Sequence, residues 1–167
     1  INHLPKSNSA ESPTGCCPEF KPAEWDGQTF RFKDKLFMKV TTHSFLHMPL
    51  GMSSVMQEAM ARIDEAGARS GDEYIMLSHD VSPWKCEHYI SVSKEVPDAE
   101  MTRLSGTYLA KVFEGPFKNA GTWYEQLIEF VESRGAKLVK VYFSYTTCPR
   151  CAKVYGTNYV VVFAQID

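Results

Sequence analysis

The sequence predicts an α+β fold made of two successive strand-helix-strand-strand units. One observation is the stretch 103–136, in which alternating apolar residues are followed by apolar residues at helical spacing. Another is the earlier stretch 36–68, which shows the same order and also closes at a glycine. The two closing glycines, Gly67 and Gly135, differ by 68 positions. Because internal repetition decides the architecture of a chain, we expect a duplication with pseudo-twofold symmetry.

The elements follow from local patterns, and the second helix has the clearest one. Trp123, Leu127 and Val131 are four residues apart, so they share one face of a helix. Asn119 can cap the start of that helix, and Gly135 can take the left-handed conformation that ends it. In chain order we predict a strand at 36–48, a helix ending near 66, strands at 73–78 and 87–95, a strand at 103–114, a helix ending near 134, and strands at 137–146 and 158–166.

The predicted domain organisation follows from how the units must pack. One unit alone cannot cover both its sheet face and its apolar helix stripe, so units 36–97 and 103–166 are expected to pack together. They would form one domain, 36–167, with an antiparallel sheet, two main helices and a central cleft. Residues 1–35 are polar at first and then aromatic, which predicts an irregular leader that wraps the domain.

Composition excludes several classes of function. The formal net charge is -2 and the charged residues are interspersed, so no basic stripe favours nucleic acid and no basic amphipathic helix favours a membrane. The longest apolar run, 159–164, is far shorter than the ~20 residues that span a bilayer. Five cysteines, an odd number, fit a reducing cytoplasm better than a secreted disulfide framework. We therefore expect a cytoplasmic protein.

The repeated unit, the turn Glu114-Gly115-Pro116-Phe117 and the helical Trp123 resemble the GyrI-like family of effector-binding domains, as a stand-alone member. The resemblance implies a cleft between the halves that binds hydrophobic or cationic aromatic small molecules. It also implies a buried carboxylate, and some single-domain members hydrolyse strained electrophilic toxins. The family's acidic residue in a Glu-x-Tyr type motif is missing from the final strand here. Glu87-His88-Tyr89 carries that pattern in the first unit instead.

Aromatic side chains and one carboxylate are the candidates for this cleft. Aromatic rings hold flat apolar groups by area and cations by their faces. A desolvated Glu87 could pair with a cation, or act as a general base on water in an enzyme. The competing interpretation of Trp123 is a core residue of the helix stripe. The predicted ligand-binding residues are Trp84, Glu87, Tyr89, Phe113, Trp123, Tyr142 and Tyr145.

Two cysteine pairs suggest a structural zinc ion. Cys148 and Cys151, separated by two residues on a turn, could chelate Zn²⁺, and Cys16 and Cys17 could complete a tetrahedral site. Reduced thiols or an oxidised pair are the alternatives to a metal site. The same CPRC motif also allows a thiol-redox function. No organic cofactor is expected, since neither a phosphate loop nor a dinucleotide fingerprint is present.

The histidines allow two weaker hypotheses. His43 and His47 would share a strand face, and His79, Cys86 and His88 could form another site.

The first choice of function is stand-alone binding of a small molecule. The alternative is a small hydrolase that acts on an electrophile in the same cleft.

Overall fold

The computed structural model is an α+β protein with antiparallel strand pairing, as the sequence predicts. It describes residues 4–5, 20–46, 48–71, 74–146 and 158–167. Among these residues, no helix is long and apolar enough to cross a membrane. The elements are β1 (Thr29–Phe45), β2 (Met48–Leu50), α1 (Met52–Glu65), β3 (Met76–Ser82), β4 (Lys85–Ser91), β5 (Glu100–Glu114), α2 (Ala120–Ser133), β6 (Leu138–Tyr145) and β7 (Tyr159–Ile166), with single 3-10 turns at Pro22–Glu24 and Phe117–Asn119.

The chain divides into two compact units, named here after their helices. The α2 unit contains the described residues up to Arg31 together with Gly106–Asp167. The α1 unit is Phe32–Ser105. The domain limits expected from the sequence stay a prediction.

In the α2 unit, β7 is the middle strand and pairs with β5 on one side and β6 on the other. Helix α2 buries Trp123, Leu127 and Val131 against this sheet, as the four-residue spacing predicts. Trp123 stacks on Phe113 of β5, with ring centroids 5.6 Å apart and planes 15° apart. The helix is therefore fixed by a large apolar contact.

The opposite face of β7 is covered by residues 25–30, which include the first residues of β1. Trp25 and Phe30 pack against Phe163, with ring centroids 6.1 Å away in each case. The Gly27 amide donates to the carbonyl of Ala110 at 2.9 Å. Aromatic contacts on one face and the helix on the other leave the sheet of the α2 unit covered on both sides.

In the α1 unit the strand order is β2, β1, β4, β3. The register pairs Lys39 of β1 with Tyr89 of β4. Helix α1 buries Ala59 and Ile63 in a cluster with Met38, Ile90 and Val92 of this sheet. Helix α1 therefore packs through an apolar face, as the apolar residues at helical spacing in the stretch 36–68 predict.

Both helices end in the same way. The amide of Ala68 donates to the carbonyl of Ile63 at 2.9 Å, and that of Ala136 donates to Val131 at 3.2 Å. The intervening glycines are left-handed, with φ of 62° at Gly67 and 67° at Gly135. This six-to-one bond around a left-handed glycine is the Schellman motif, so the predicted helix ends are confirmed.

Other local predictions differ from the structure. β1 begins at Thr29 instead of 36, because Phe30 and Phe32 alternate with polar residues and extend the strand backwards. Asn119 precedes α2 but makes no side-chain cap hydrogen bond. Tyr74 and Tyr142 are also 68 positions apart, but Tyr74 lies before β3 and Tyr142 lies inside β6, so the strands do not keep the offset of the helix ends.

Candidate functional site

One face of the α1-unit sheet carries a group of polar side chains. Register places Thr41, Glu87 and His79 in a row across β1, β4 and β3. Lys39 and Tyr89 stand in the next row, on the same face, because side chains two residues apart in a strand point the same way. We call these five residues the Glu87 cluster.

Electrostatic contacts organise the Glu87 cluster. The Lys39 ammonium forms an ion pair with Oε2 of Glu87, and its Nζ lies 3.5 Å from Oε1 of Glu100. The hydroxyl of Tyr89 donates to Oε1 of Glu87 at 3.4 Å. Hydrogen bonding to Glu87 raises the pKa of Lys39. Burial, then the nearby Glu87 charge, raise the pKa of Tyr89. Both groups therefore keep their protons at neutral pH.

Burial changes sharply along this face. Phe37 and Leu77 are fully buried, and Tyr89 is 6% exposed. The Glu87 side chain is 13% exposed. Beyond it, Thr41 and His43 are exposed. We call the buried Phe37 and Leu77 the apolar floor of the site. A carboxylate between this apolar floor and solvent can reach both water and an apolar molecule, so it suits acid-base chemistry.

The remaining predicted ligand residues lie elsewhere. Trp84 lies in the β3–β4 turn and is 53% exposed. In the α2 unit, Phe113 and Trp123 are buried against each other in the helix–sheet core. Tyr142 is buried, with its ring 6.1 Å from that of Tyr108, and Tyr145 is 39% exposed.

The structure brings only some of these residues together. Glu87 contacts Tyr89, and Phe113 contacts Trp123. The packing of Trp123 in the α2 unit agrees with its interpretation as a core residue of the helix stripe. A ligand-binding role for the seven predicted residues stays a prediction.

The hypothesis of a site made of His79, Cys86 and His88 is wrong, because strand alternation separates them. His79 belongs to the Glu87 cluster, whereas Cys86 and His88 point to the opposite face of the sheet. There, the imidazole of His88 contacts the Thr42 hydroxyl through Nε2 at 2.8 Å and the Ser78 hydroxyl through Nδ1 at 2.7 Å.

Burial keeps His88 and Cys86 neutral on this opposite face. It lowers the pKa of His88 to about 4. Burial, reinforced by the charge of Asp80, raises the pKa of Cys86 to about 12. A neutral thiol is a poor nucleophile, so Cys86 does not fit a catalytic role.

The predicted zinc site cannot be compared with the structure. Cys16, Cys17, Cys148 and Cys151 lie outside the described residues, and so does His47. Within the part of the chain that the structure describes, no group of three or more His, Cys, Asp or Glu side chains could hold a metal ion. Zinc binding and thiol-redox activity stay predictions.

A separate open pocket of about 330 Å³ lies in the α2 unit. One of its two acidic lining residues, Asp26, accepts from the Val112 amide at 3.0 Å and lies 3.6 Å from the Lys111 ammonium. None of the predicted site residues lines it, and its Asp26 carboxylate is already engaged. We therefore place the candidate chemistry at the Glu87 cluster. The pocket lining comprises Pro22, Ala23, Asp26, Val112, Glu114 and Tyr159.

Sequence reasoning missed Lys39, Thr41 and Glu100 as members or neighbours of the site, and it placed His79 in a different one. The available signal was the alternation of β1, where Lys39, Thr41 and His43 are polar at every second position. Assigning them to Glu87 requires the β1–β4 register, which alternation alone does not give.

Solved structures show which proteins share the fold of this chain. The chain matches the C-terminal domain of EcmrR with a TM-score of 0.59 and 13% identity, covering 84% of this chain and 96% of that one. An uncharacterized conserved protein from Listeria innocua matches with a TM-score of 0.63 and 12% identity, covering 86% and 94%. A hydrolase from Listeria innocua matches with a TM-score of 0.59 and 14% identity, covering 86% and 93%. At these identities the likeness concerns the fold alone.

A family model then gives a narrower assignment. The model described as "Bacterial hydrolase" matches residues 7–166, so this chain belongs to that family. No curated protein matches the chain.

Proposed function

We propose that this protein binds a small electrophilic molecule and hydrolyses it at the Glu87 cluster. The proposal rests on the contacts that the Glu87 carboxylate makes with its neighbours. Glu87 pairs with Lys39, accepts from Tyr89 and stands where the apolar floor meets solvent. Membership of the bacterial hydrolase family supports hydrolysis in general terms.

The chemistry can be written for an epoxide as the electrophile. Glu87 removes a proton from water while the water oxygen bonds to a ring carbon and the ring carbon–oxygen bond breaks. Tyr89 gives its proton to the oxygen that leaves the carbon. The proton on Glu87 then returns to Tyr89 along their hydrogen bond, and a diol is released. Water is consumed and no other reactant is needed.

Lys39 determines which molecules suit the site. Its ammonium already neutralises Glu87, so a cationic ligand would have to displace an ion pair to reach the carboxylate. A neutral electrophile meets no such cost. The ammonium can also stabilise negative charge that develops on the leaving oxygen.

We also retain three predictions from the sequence as parts of the proposal. They are the duplication, the cleft between the two repeats and a structural zinc ion at the four cysteines. The matching helix ends at Gly67 and Gly135 support a duplication. Zinc is supported by the sequence spacing of Cys148 and Cys151.

The test is a panel of small epoxides and activated esters, with substrate loss and product mass followed for the purified protein. We expect turnover of at least one compound and a loss of ~10²–10⁴-fold for Glu87→Gln, the usual contribution of a general base. Glu58→Gln is the matched control, since Glu58 is exposed on α1. Equal rates for Glu87→Gln and the wild type would refute the role of Glu87.

A binding protein without turnover is the second candidate. The observation that favours it is the exposed ring of Trp84, whose face can hold a flat ligand. The same panel separates the two candidates. If the protein only binds, a compound raises its melting temperature and is recovered unchanged. If the protein is a hydrolase, the compound is consumed.

A further inference from the structure

We propose that Phe45 and Trp84 form a remote subsite that holds the flat apolar end of an elongated substrate, whose electrophilic centre lies at Glu87. This inference rests on the proposed function and names the shape of the substrate. It concerns a surface that the hydrolytic step itself does not use.

Exposure of these two rings needs an explanation. Phe45 is 59% exposed and Trp84 is 53% exposed. The rings contact each other with centroids 5.7 Å apart and planes 60° apart. Large aromatic side chains gain free energy from burial, so an exposed pair at one place typically marks a binding surface.

Backbone hydrogen bonds hold the pair in position. The amide of Ser44 donates to the carbonyl of Trp84 at 2.8 Å, which ties the end of β1 to the β3–β4 turn. The amide of Trp84 donates to the Ser82 hydroxyl at 3.1 Å. Rings carried by a fixed turn lose little freedom when a ligand binds, which favours affinity.

The same sheet face connects the pair with the reacting carboxylate. Thr41, His43 and Phe45 alternate with the buried Thr42 and Ser44 and are all exposed. Thr41 is directly opposite Glu87 in the β1–β4 register. Phe45 is four positions beyond Thr41 in the strand, which corresponds to about 13 Å at the usual rise per residue.

This spacing defines the substrate class. A molecule that uses both places needs a flat apolar group and an electrophilic carbon separated by a linker of about 10–13 Å, the strand distance just derived. The row between them contains His43 and Lys85, both exposed. Because those side chains are polar, the apolar contact is concentrated at the far end of the substrate.

The experiment measures kcat/KM for a series of terminal epoxides that carry a phenyl group on alkyl linkers of one to ten carbons. We expect kcat/KM to rise with linker length and to level off once the phenyl group reaches the ring pair. Trp84→Ala should lower kcat/KM at least 10-fold for the longest compounds and change it less than twofold for the shortest. Tyr124→Ala, which removes an exposed aromatic ring from α2, is the matched control.

A second measurement separates failure of this inference from failure of the proposed function. Unreactive phenylalkyl diols of the same lengths are titrated while tryptophan fluorescence is followed in the wild type and in Trp84→Phe. Length-dependent binding that Phe45→Ala weakens supports the subsite even if no epoxide is turned over. Turnover or binding that is independent of linker length, or equal losses for short and long compounds in Trp84→Ala, would overturn it.

Discussion

The α2 unit and the α1 unit use similar elements but bury different kinds of side chain. Helix α2 buries Trp123, Leu127 and Val131, and Trp123 stacks on an aromatic residue of its sheet. Helix α1 fully buries only Ala59 and Ile63 among its described residues. The difference means that the α2 unit gains more apolar burial from its helix.

Polar groups show the opposite distribution. The α1-unit sheet buries Thr42, Ser78 and His88 on one face and holds the Lys39–Glu87 pair on the other. Buried polar groups are costly unless they are paired, so they gain little stability but fix side-chain geometry. We infer that the α2 unit mainly provides stability, and that the α1 unit mainly provides the groups that can act on a ligand.

The largest expected effect tests the apolar side of this comparison. Trp123→Ala should lower the free energy of unfolding by ~3–5 kcal/mol, because it removes a large buried ring and leaves a cavity. Met56→Ala, at a half-buried position of α1, should cost about 1–2 kcal/mol, less than at a fully buried methionine. Urea denaturation measures both. Equal losses of unfolding free energy in the two variants would show that both helices contribute equally to stability.

Acid should destabilise the α1 unit through His88. Its pKa is about 4 in the folded protein and ~6.5 when unfolded, so the unfolded chain binds more protons between these values. The free energy of unfolding is therefore highest above pH ~6.5. It falls as the pH is lowered towards 4, by about 3 kcal/mol in all.

Denaturation followed from pH 7 to 4 measures this dependence. His88→Gln keeps an amide between the two hydroxyls without titrating, and should flatten that part of the pH profile. Asp80 and Cys86, which also contribute to this face, remain in the variant. An unchanged slope in His88→Gln would assign the acid sensitivity to other groups.

The smallest expected effect tests where the units are alike. Gly67→Ala and Gly135→Ala should each cost about 1 kcal/mol, because both glycines are left-handed. Gly121→Ala, inside α2 with open space at the added methyl group, should instead stabilise by up to ~1 kcal/mol. Thermal unfolding of the three variants gives the sign of each change. Opposite signs at Gly67 and Gly135 would contradict a shared helix ending.

The helices could be predicted from the sequence, whereas the candidate site could be predicted only in part. Trp123, Leu127 and Val131 repeat within a few residues, so local spacing alone places them on one face. Lys39 and Glu87 are 48 positions apart, and only strand register brings them together. The short edge strand β2 was also missed, since Pro49 is typical of a turn as well as of a strand edge.

One ammonium group lies between two carboxylates in this protein, and this has an evolutionary consequence. If Lys39 were exchanged for an uncharged residue, Glu87 and Glu100 would lose the ammonium group that pairs with both of them. Such a descendant would attract positively charged compounds in place of neutral ones. A single codon would thus change the charge that this surface presents to a ligand.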